Sequence, residues 1–298
     1  MRFIRSVIAQ DETPAGDGTI TYDLPVNPLS YLNFTIKALN VTNEATLGEV
    51  LALVTNISVL HLGQSIVNMS AADLYAYNTL VLGKVPVFTN LVAADNATRS
   101  IGLLIPLGRK IMDPTECFPA TKKGEFQLQA TVDVANVGAD GLILQIETTE
   151  LLAATPRNYL KATTLTATPS ATGNMDVDLP IGNKLVALLL FSTTVPTGTV
   201  WTTTIDQARI MANNQEEGYA NANWESMHAD MRPRLSMPLG STDSWADDAV
   251  ANYALMDYDP LINDDFLLDT APLSSLAVRI NAGDTNVLRV IPLELVSV

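Results

Sequence analysis

The phrase Asp-Leu-Pro followed by a branched aliphatic residue occurs twice, at Asp23–Val26 and Asp178–Ile181, and each copy leads into a strand-like run. "DLPVNPLSYLNFTIKA" spans residues 23–38 and "DLPIGNKLVALLLFST" spans 178–193. Two further stretches correspond in the same order. "QSIVNMSAADLYAYN" (64–78) sets Ile66 against Ile210 and Tyr75 against Tyr219 of "ARIMANNQEEGYANA" (208–222). "ATVDVANVGADGLILQIETTEL" (130–151) and "LAVRINAGDTNVLRVIPLEL" (276–295) each read as strand, Gly/Asp/Asn turn and strand ending in Glu-Leu. The offset falls from 155 residues at the first station to 144 at the other two. That difference places a helix-sized insertion, "NEATLGEVLAL", in the first copy. A duplicated β domain of about 145 residues is the simplest account.

The local patterning is that of antiparallel sheet. In "FQLQATVDV" Phe126, Leu128, Ala130, Val132 and Val134 alternate with polar neighbours, one face inward and one toward water. "YLNFTIKAL", "VPVFTNLV", "SIGLLIPLG", "LILQIETTELL", "SSLAVRI" and "VLRVIPLELV" are further strand-length runs between Gly, Pro, Asn and Asp punctuation. The longest apolar run, "LVALLLF" (185–191), is far shorter than a membrane-spanning helix and reads as a buried strand. Helices are few. Thr46 with Glu49, Ser70 with Asp73 and Ser244 with Asp247 have capping-box spacing, and residues 216–231 form a fourth candidate ended by Pro233. The expected fold class is therefore all-β with a few short helices. An N-terminal arm (1–19) precedes a first sandwich (20–160) and a second (161–298), with the border in the Thr-, Pro- and Ser-rich stretch 153–174.

Charge narrows the partners. The formal net charge of −15, with no clustered Lys/Arg groove, argues against direct nucleic-acid binding. A single cysteine, Cys117, excludes an intrachain disulfide framework and reads as a buried thiol. The start of the chain, broken by Arg5, has no secretory apolar region, so the Asn-x-Ser/Thr sequences at Asn33, Asn40, Asn56, Asn68 and Asn96 read as ordinary composition.

Signatures of chemistry are sparse. His61 and His228 have no second ligand type at metal spacing, and no zinc, serine-hydrolase or phosphate-loop motif occurs. No catalytic residue is expected. Glu147 and Glu150 are an odd number of residues apart and face opposite sides of a regular strand, which disfavours a glycosidase pair. The acidic stretch after Arg234 brings Asp257, Asp259, Asp264 and Asp265 close in sequence, a candidate calcium loop without the Gly and Glu of an EF-hand; a solvated acidic rim is the plainer alternative. At the N-terminus Arg2 and Arg5 interleave with Phe3 and Ile4, a pattern suited to an anionic membrane surface or a neighbouring subunit; a frayed end or a packed strand is the alternative.

Two tandem β sandwiches in an acidic chain, marked by Asp23-Leu24-Pro25 and Asp178-Leu179-Pro180, resemble the double jelly-roll major capsid proteins of tailless icosahedral viruses of the tectivirus–adenovirus lineage. The resemblance covers nearly the whole chain and includes no diagnostic motif. It is greatest to compact members from membrane-containing bacteriophages. It implies two tandem eight-stranded antiparallel jelly rolls and a pseudo-hexagonal homotrimer in the shell of a virion, made in the host cytoplasm. It also implies neighbouring trimers, penton or minor capsid proteins and the internal viral membrane as partners. Mean hydropathy of +0.19 with 16% charged residues is consistent with a surface largely covered by partners. A carbohydrate-binding or adhesin-like sandwich is the alternative, although aromatics make up only 6% and Trp201, Trp224 and Trp245 are scattered. A jelly-roll enzyme is a third.

Overall fold

A computed structural model of the chain describes residues 2–41, 45–89, 94–134, 139–196, 201–231 and 250–298. The chain divides into two compact units, residues 1–161 with 297–298, and residues 162–296. The first holds β1 (Arg2–Glu12), β2 (Gly18–Asp23), β3 (Leu29–Asn40), α1 (Leu47–Ala52), β4 (Val54–His61), β5 (Gln64–Met69), α2 (Ala71–Leu80), β6 (Phe88–Thr89), β7 (Thr98–Pro106), β8 (Phe126–Val132) and β9 (Ala139–Leu152). β10 (Asn158–Thr163) runs across the border. The second holds β11 (Leu165–Ala167), β12 (Gly173–Asp178), β13 (Lys184–Ser192), β14 (Ile205–Ala212), β15 (Gln215–Glu216), β16 (Ala222–Asn223), α3 (Trp224–Asp230), β17 (Tyr253–Asp257), β18 (Leu268–Asp269), β19 (Leu276–Ala282) and β20 (Leu288–Ser297).

Each unit is one long hairpin rolled up. In the first, β4 pairs with β5, β3 with β7, β2 with β8 and β1 with β9, all antiparallel and nested. Rolling then places β3 beside β9 and β4 beside β8. The second unit repeats this scheme. Its nested pairs are β14 with β15, β13 with β17, β12 with β19 and β11 with β20, closed by β13 beside β20 and β14 beside β19. These are jelly rolls, in which two four-stranded layers face each other.

Side-chain alternation makes the layers face. β8 and β19 are buried at every second residue, and β3 alternates along most of its length. In the second unit one core draws Leu188 and Leu190 from β13 and Val290 from β20 on one side, and Ile210 from β14 with Val278 and Ile280 from β19 on the other. β13 is buried on both faces from Leu185 to Leu190, as its unbroken apolar run requires.

The paired strand-turn-strand segments 130–151 and 276–295 fall on equivalent strands, β8–β9 and β19–β20. The middle station does not. Tyr75 lies on α2, whereas Tyr219 lies between β15 and β16; by pairing, β14 corresponds to β4 and not to β5. The expected helix over 216–231 is helical only at Trp224–Asp230. Gly218 (φ 71°) and Asn221 (φ 65°) adopt left-handed backbone that ends a right-handed helix. The segment 1–19, expected as an arm, contributes β1, the edge strand of the first roll, which pairs with β9 from Arg2 opposite Leu152 to Glu12 opposite Leu144, with register shifts after Val7 and after Ala9. The Thr46/Glu49 and Ser70/Asp73 capping boxes are both formed, at α1 and α2. The Ser244 signal lies outside the described residues.

The repeated Asp-Leu-Pro phrase is the corner at which the chain leaves one layer for the other. Leu24 N–H donates to the Phe126 carbonyl at 2.9 Å, and Leu179 N–H to the Leu276 carbonyl at 2.9 Å, the last ladder bond of β2 and of β12. Both leucines are buried, and the following prolines lack the N–H that would continue the ladder. Beyond each corner an asparagine bonds the last strand of its roll. Asn27 Nδ2 donates to Glu150 Oε2 at 2.7 Å, and Asn183 Nδ2 to Glu294 Oε2 at 2.7 Å. Each asparagine sits two residues before the residue that faces that glutamate, Leu29 or Leu185. The glutamates are 4% and 2% exposed, so the amide supplies hydrogen bonding that water cannot. Asn27→Ala and Asn183→Ala are each expected to lower unfolding free energy by about 1.5–3 kcal/mol in urea titrations. Adding Glu294→Gln to Asn183→Ala should recover part of the loss.

Candidate functional site

The residues singled out for chemistry are engaged in structure. His61 packs edge-on against Phe118, with ring centroids 5.3 Å apart. His228 lies on α3 beside Trp224, at 5.0 Å. Burial holds its imidazole below the ordinary histidine range, opposed by a backbone hydrogen bond at Tyr253 and the charge of Glu225. Cys117 is fully buried, and burial pushes its thiol up to about 11, with the charge of Asp113 adding to the rise. Glu147 pairs with Arg5 at 2.6 Å. Glu150 accepts from Ser6 Oγ at 2.8 Å as well as from Asn27.

The aspartates of the candidate calcium loop bond to their own turn. Asp257 Oδ1 accepts from Asp259 N–H, and Asp259 Oδ1 from the N–H groups of Asn263 and Asp264. Asp265 Oδ2 accepts from Asn263 Nδ2. Among the described residues no three His, Cys, Asp or Glu side chains form a group able to hold a metal ion. Of the tryptophans, Trp201 is 79% exposed and Trp224 is buried; Trp245 lies outside the described residues. Trp201 and the exposed Phe266 sit on connections at opposite ends of the second roll, so they do not form one aromatic platform.

What the fold does gather is exposed apolar side chains at one end of each roll, the end where β2 or β12 finishes. In the first unit Val26 follows the corner, Leu62 tips the β4–β5 turn, and Ile111 and Met112 lie in the β7–β8 connection. Met112 N–H donates to Ser30 Oγ, which ties that connection to the start of β3. Phe3 and Ile4 open β1 at the same end, since Phe3 faces Leu151 and Leu151 N–H donates to the Pro28 carbonyl. In the second unit the corresponding positions are Ile181, Leu261 and Phe266.

The two ends differ in charge. In the first unit Lys110, Lys122 and Lys123 are exposed on the β7–β8 connection. A buried, two-pronged pair braces that connection: Arg109 Nε donates to Glu116 Oε1 at 2.9 Å and Nη2 to Oε2 at 2.7 Å. Gly108 permits the close approach, because a Cβ there would lie 2.1 Å from the Glu116 carbonyl oxygen. In the second unit the equivalent connection carries Asp259, Asp264, Asp265 and Asp269. Residues 1–161 hold 11 Lys/Arg against 15 Asp/Glu, and the remaining 137 hold 6 against 17.

No protein-family model and no curated protein matches the chain by sequence. Solved structures match it along its whole length. The major capsid protein of Sulfolobus Turreted Icosahedral Virus superposes with a TM-score of 0.72 at 13% identity, covering 100% of this chain and 97% of that one. Major capsid protein P2 of bacteriophage PM2 gives 0.67 at 10% identity, covering 99% and 98%. The PBCV-1 virus capsid gives 0.63 at 10% identity, covering 99% and 93%. The chain thus has the double jelly-roll fold of viral major capsid proteins.

Burial of His228 makes folding stability depend on pH. The unfolded chain takes up a proton at an ordinary histidine pKa, near 6.5, while the folded chain resists it. Stability from this group is therefore present above about pH 6.5 and lost as pH falls below it. His228→Gln should flatten the pH dependence of the thermal midpoint between about pH 7 and pH 5. An unchanged slope would place the acid sensitivity elsewhere.

Proposed function

We propose that the chain is the major capsid subunit of an icosahedral virus, assembling as a pseudo-hexagonal homotrimer in the virion. The observation that supports this most is that both halves share one nested pairing scheme, in a chain that matches capsid proteins end to end. Two similar rolls per chain, repeated by a threefold axis, present six similar outlines from one gene product, which suits hexagonal tiling. Penton or minor capsid proteins would fill positions that such a tile cannot. The role is structural, and no residue is assigned a catalytic task. Subunit contacts in obligate assemblies commonly bury about 2,000–5,000 Å².

Light scattering on the purified protein should give three times the 32.0 kDa chain mass, and electron microscopy of the source should show icosahedral particles. A species that stays monomeric at high concentration would refute the trimer.

A further inference from the structure

The exposed apolar side chains at the ends of the two rolls hold equivalent places. Val26 and Ile181 each stand two residues past the leucine that makes the last ladder bond of β2 or β12. Ile111 and Met112 on the β7–β8 connection have Leu261 and Phe266 as counterparts on the connection from β17 to β19, and all four are exposed. Contacts between copies of the chain made by these side chains alone would suit two first rolls, two second rolls or one of each. The difference decides the assembly. Contact between like rolls uses one patch on both copies and closes a dimer about a twofold axis, whereas contact between a first roll and the second roll of the next copy is heterologous and can close a threefold ring.

Charge distinguishes the two ends where apolar side chains do not. At the first, Lys110, Lys122 and Lys123 are exposed. Of the acids beside them, Asp113 Oδ1 accepts from Thr115 N–H at 2.8 Å, Glu125 Oε2 accepts from Lys122 N–H at 2.9 Å, Glu116 is paired with Arg109, and Asp23 ends β2. At the second, Asp264, Asp265 and Asp269 are exposed and Asp259 is buried in its turn, while Asp178 ends β12 and Asp257 ends β17. Lys184, opposite Asp269 in the ladder, is the cation among them. Acids and cations therefore balance at the first end, and acids prevail at the second. Two second ends repel, while the lysines of a first end attract the aspartates of a second. Charge complementarity of this kind raises encounter rates and suppresses wrong partners more than it adds affinity. We propose that the lysine-bearing end of the first roll and the aspartate-rich end of the second roll meet between copies of the chain, and that their charges select first-to-second contact over contact between like rolls. The proposal deepens the capsid reading and rests on it for the threefold ring.

The test dilutes the full chain from urea and follows the species formed by light scattering, at low and at high salt. Wild type should give trimer. At low salt Lys123→Glu should form it about tenfold more slowly and Lys123→Gln by a smaller factor, with the difference lost at high salt. Lys84→Glu makes the same change of net charge at the other end of the first roll, in the connection from α2 to β6, and should assemble at the wild-type rate. Asp264→Asn with Asp265→Lys should add dimer to the trimer, because it lessens the repulsion between second ends; asparagine tolerates the left-handed backbone at position 264 (φ 69°). Wild-type rates for Lys123→Glu, or a pure trimer from the aspartate variant, would overturn the proposal. So would equal slowing by Lys84→Glu, which would trace the effect to net charge. A wild-type trimer with any of these results refutes the charge selection alone, and a wild-type chain that stays monomeric refutes the capsid reading.

Discussion

The corner after β2, repeated after β12, is the constraint on which each roll depends. A jelly roll requires the chain to cross between layers at fixed points, and crossing one residue early or late would turn every apolar side chain of the next strand outward. Leucine makes the last ladder bond and buries its side chain. Proline then forbids another bond, and an asparagine two residues before the opposing strand pair bonds a buried glutamate of β9 or β20. The second corner has one extra residue, Gly182 (φ 105°), yet Asn183 reaches Glu294 as Asn27 reaches Glu150. The hydrogen bond at the corner is thus retained although the loop length differs.

From that shared frame the two rolls diverge on their loops. The first inserts the capped helix α1 and carries lysines on the connection braced by Arg109 and Glu116. The second carries the aspartates, whose carboxylates hold their own turn. Strand pairing depends on backbone and on alternate side chains, so loop composition can change without disturbing it. One chain thus carries two rolls of the same pairing scheme whose ends differ in charge.

Much of the fold was legible in the sequence because alternation, proline and capping pairs are local signals. Strand patterning in 126–132 and 276–282, both capping boxes among the described residues and the two Asp-Leu-Pro lead-ins to strands all followed from spacing of a few residues. The middle station misled because "IVNM" and "RIMA" are interchangeable as buried strands, and only their ladder partners distinguish them. The 216–231 helix misled because helix-forming residues surround Gly218 and Asn221, whose left-handed backbone depends on the turns they serve. Residues 1–19 read as an arm because Arg2 and Arg5 interleave with Phe3 and Ile4, and an edge strand whose first residues are exposed tolerates the same pattern.

The gathering of Val26, Leu62 and Ile111 at one end of the first roll was not legible, because ladder pairing alone brings their loops together. By itself, the sequence determined the strand periodicity, the repeated Asp-Leu-Pro phrase and the net charge, because these depend on residue type and short spacing. Tertiary structure alone decided which strands correspond, which glutamates each asparagine bonds, and which loop tips share an end. Those relations join residues more than a hundred positions apart, and long-range ladder pairing rather than local propensity brings them together.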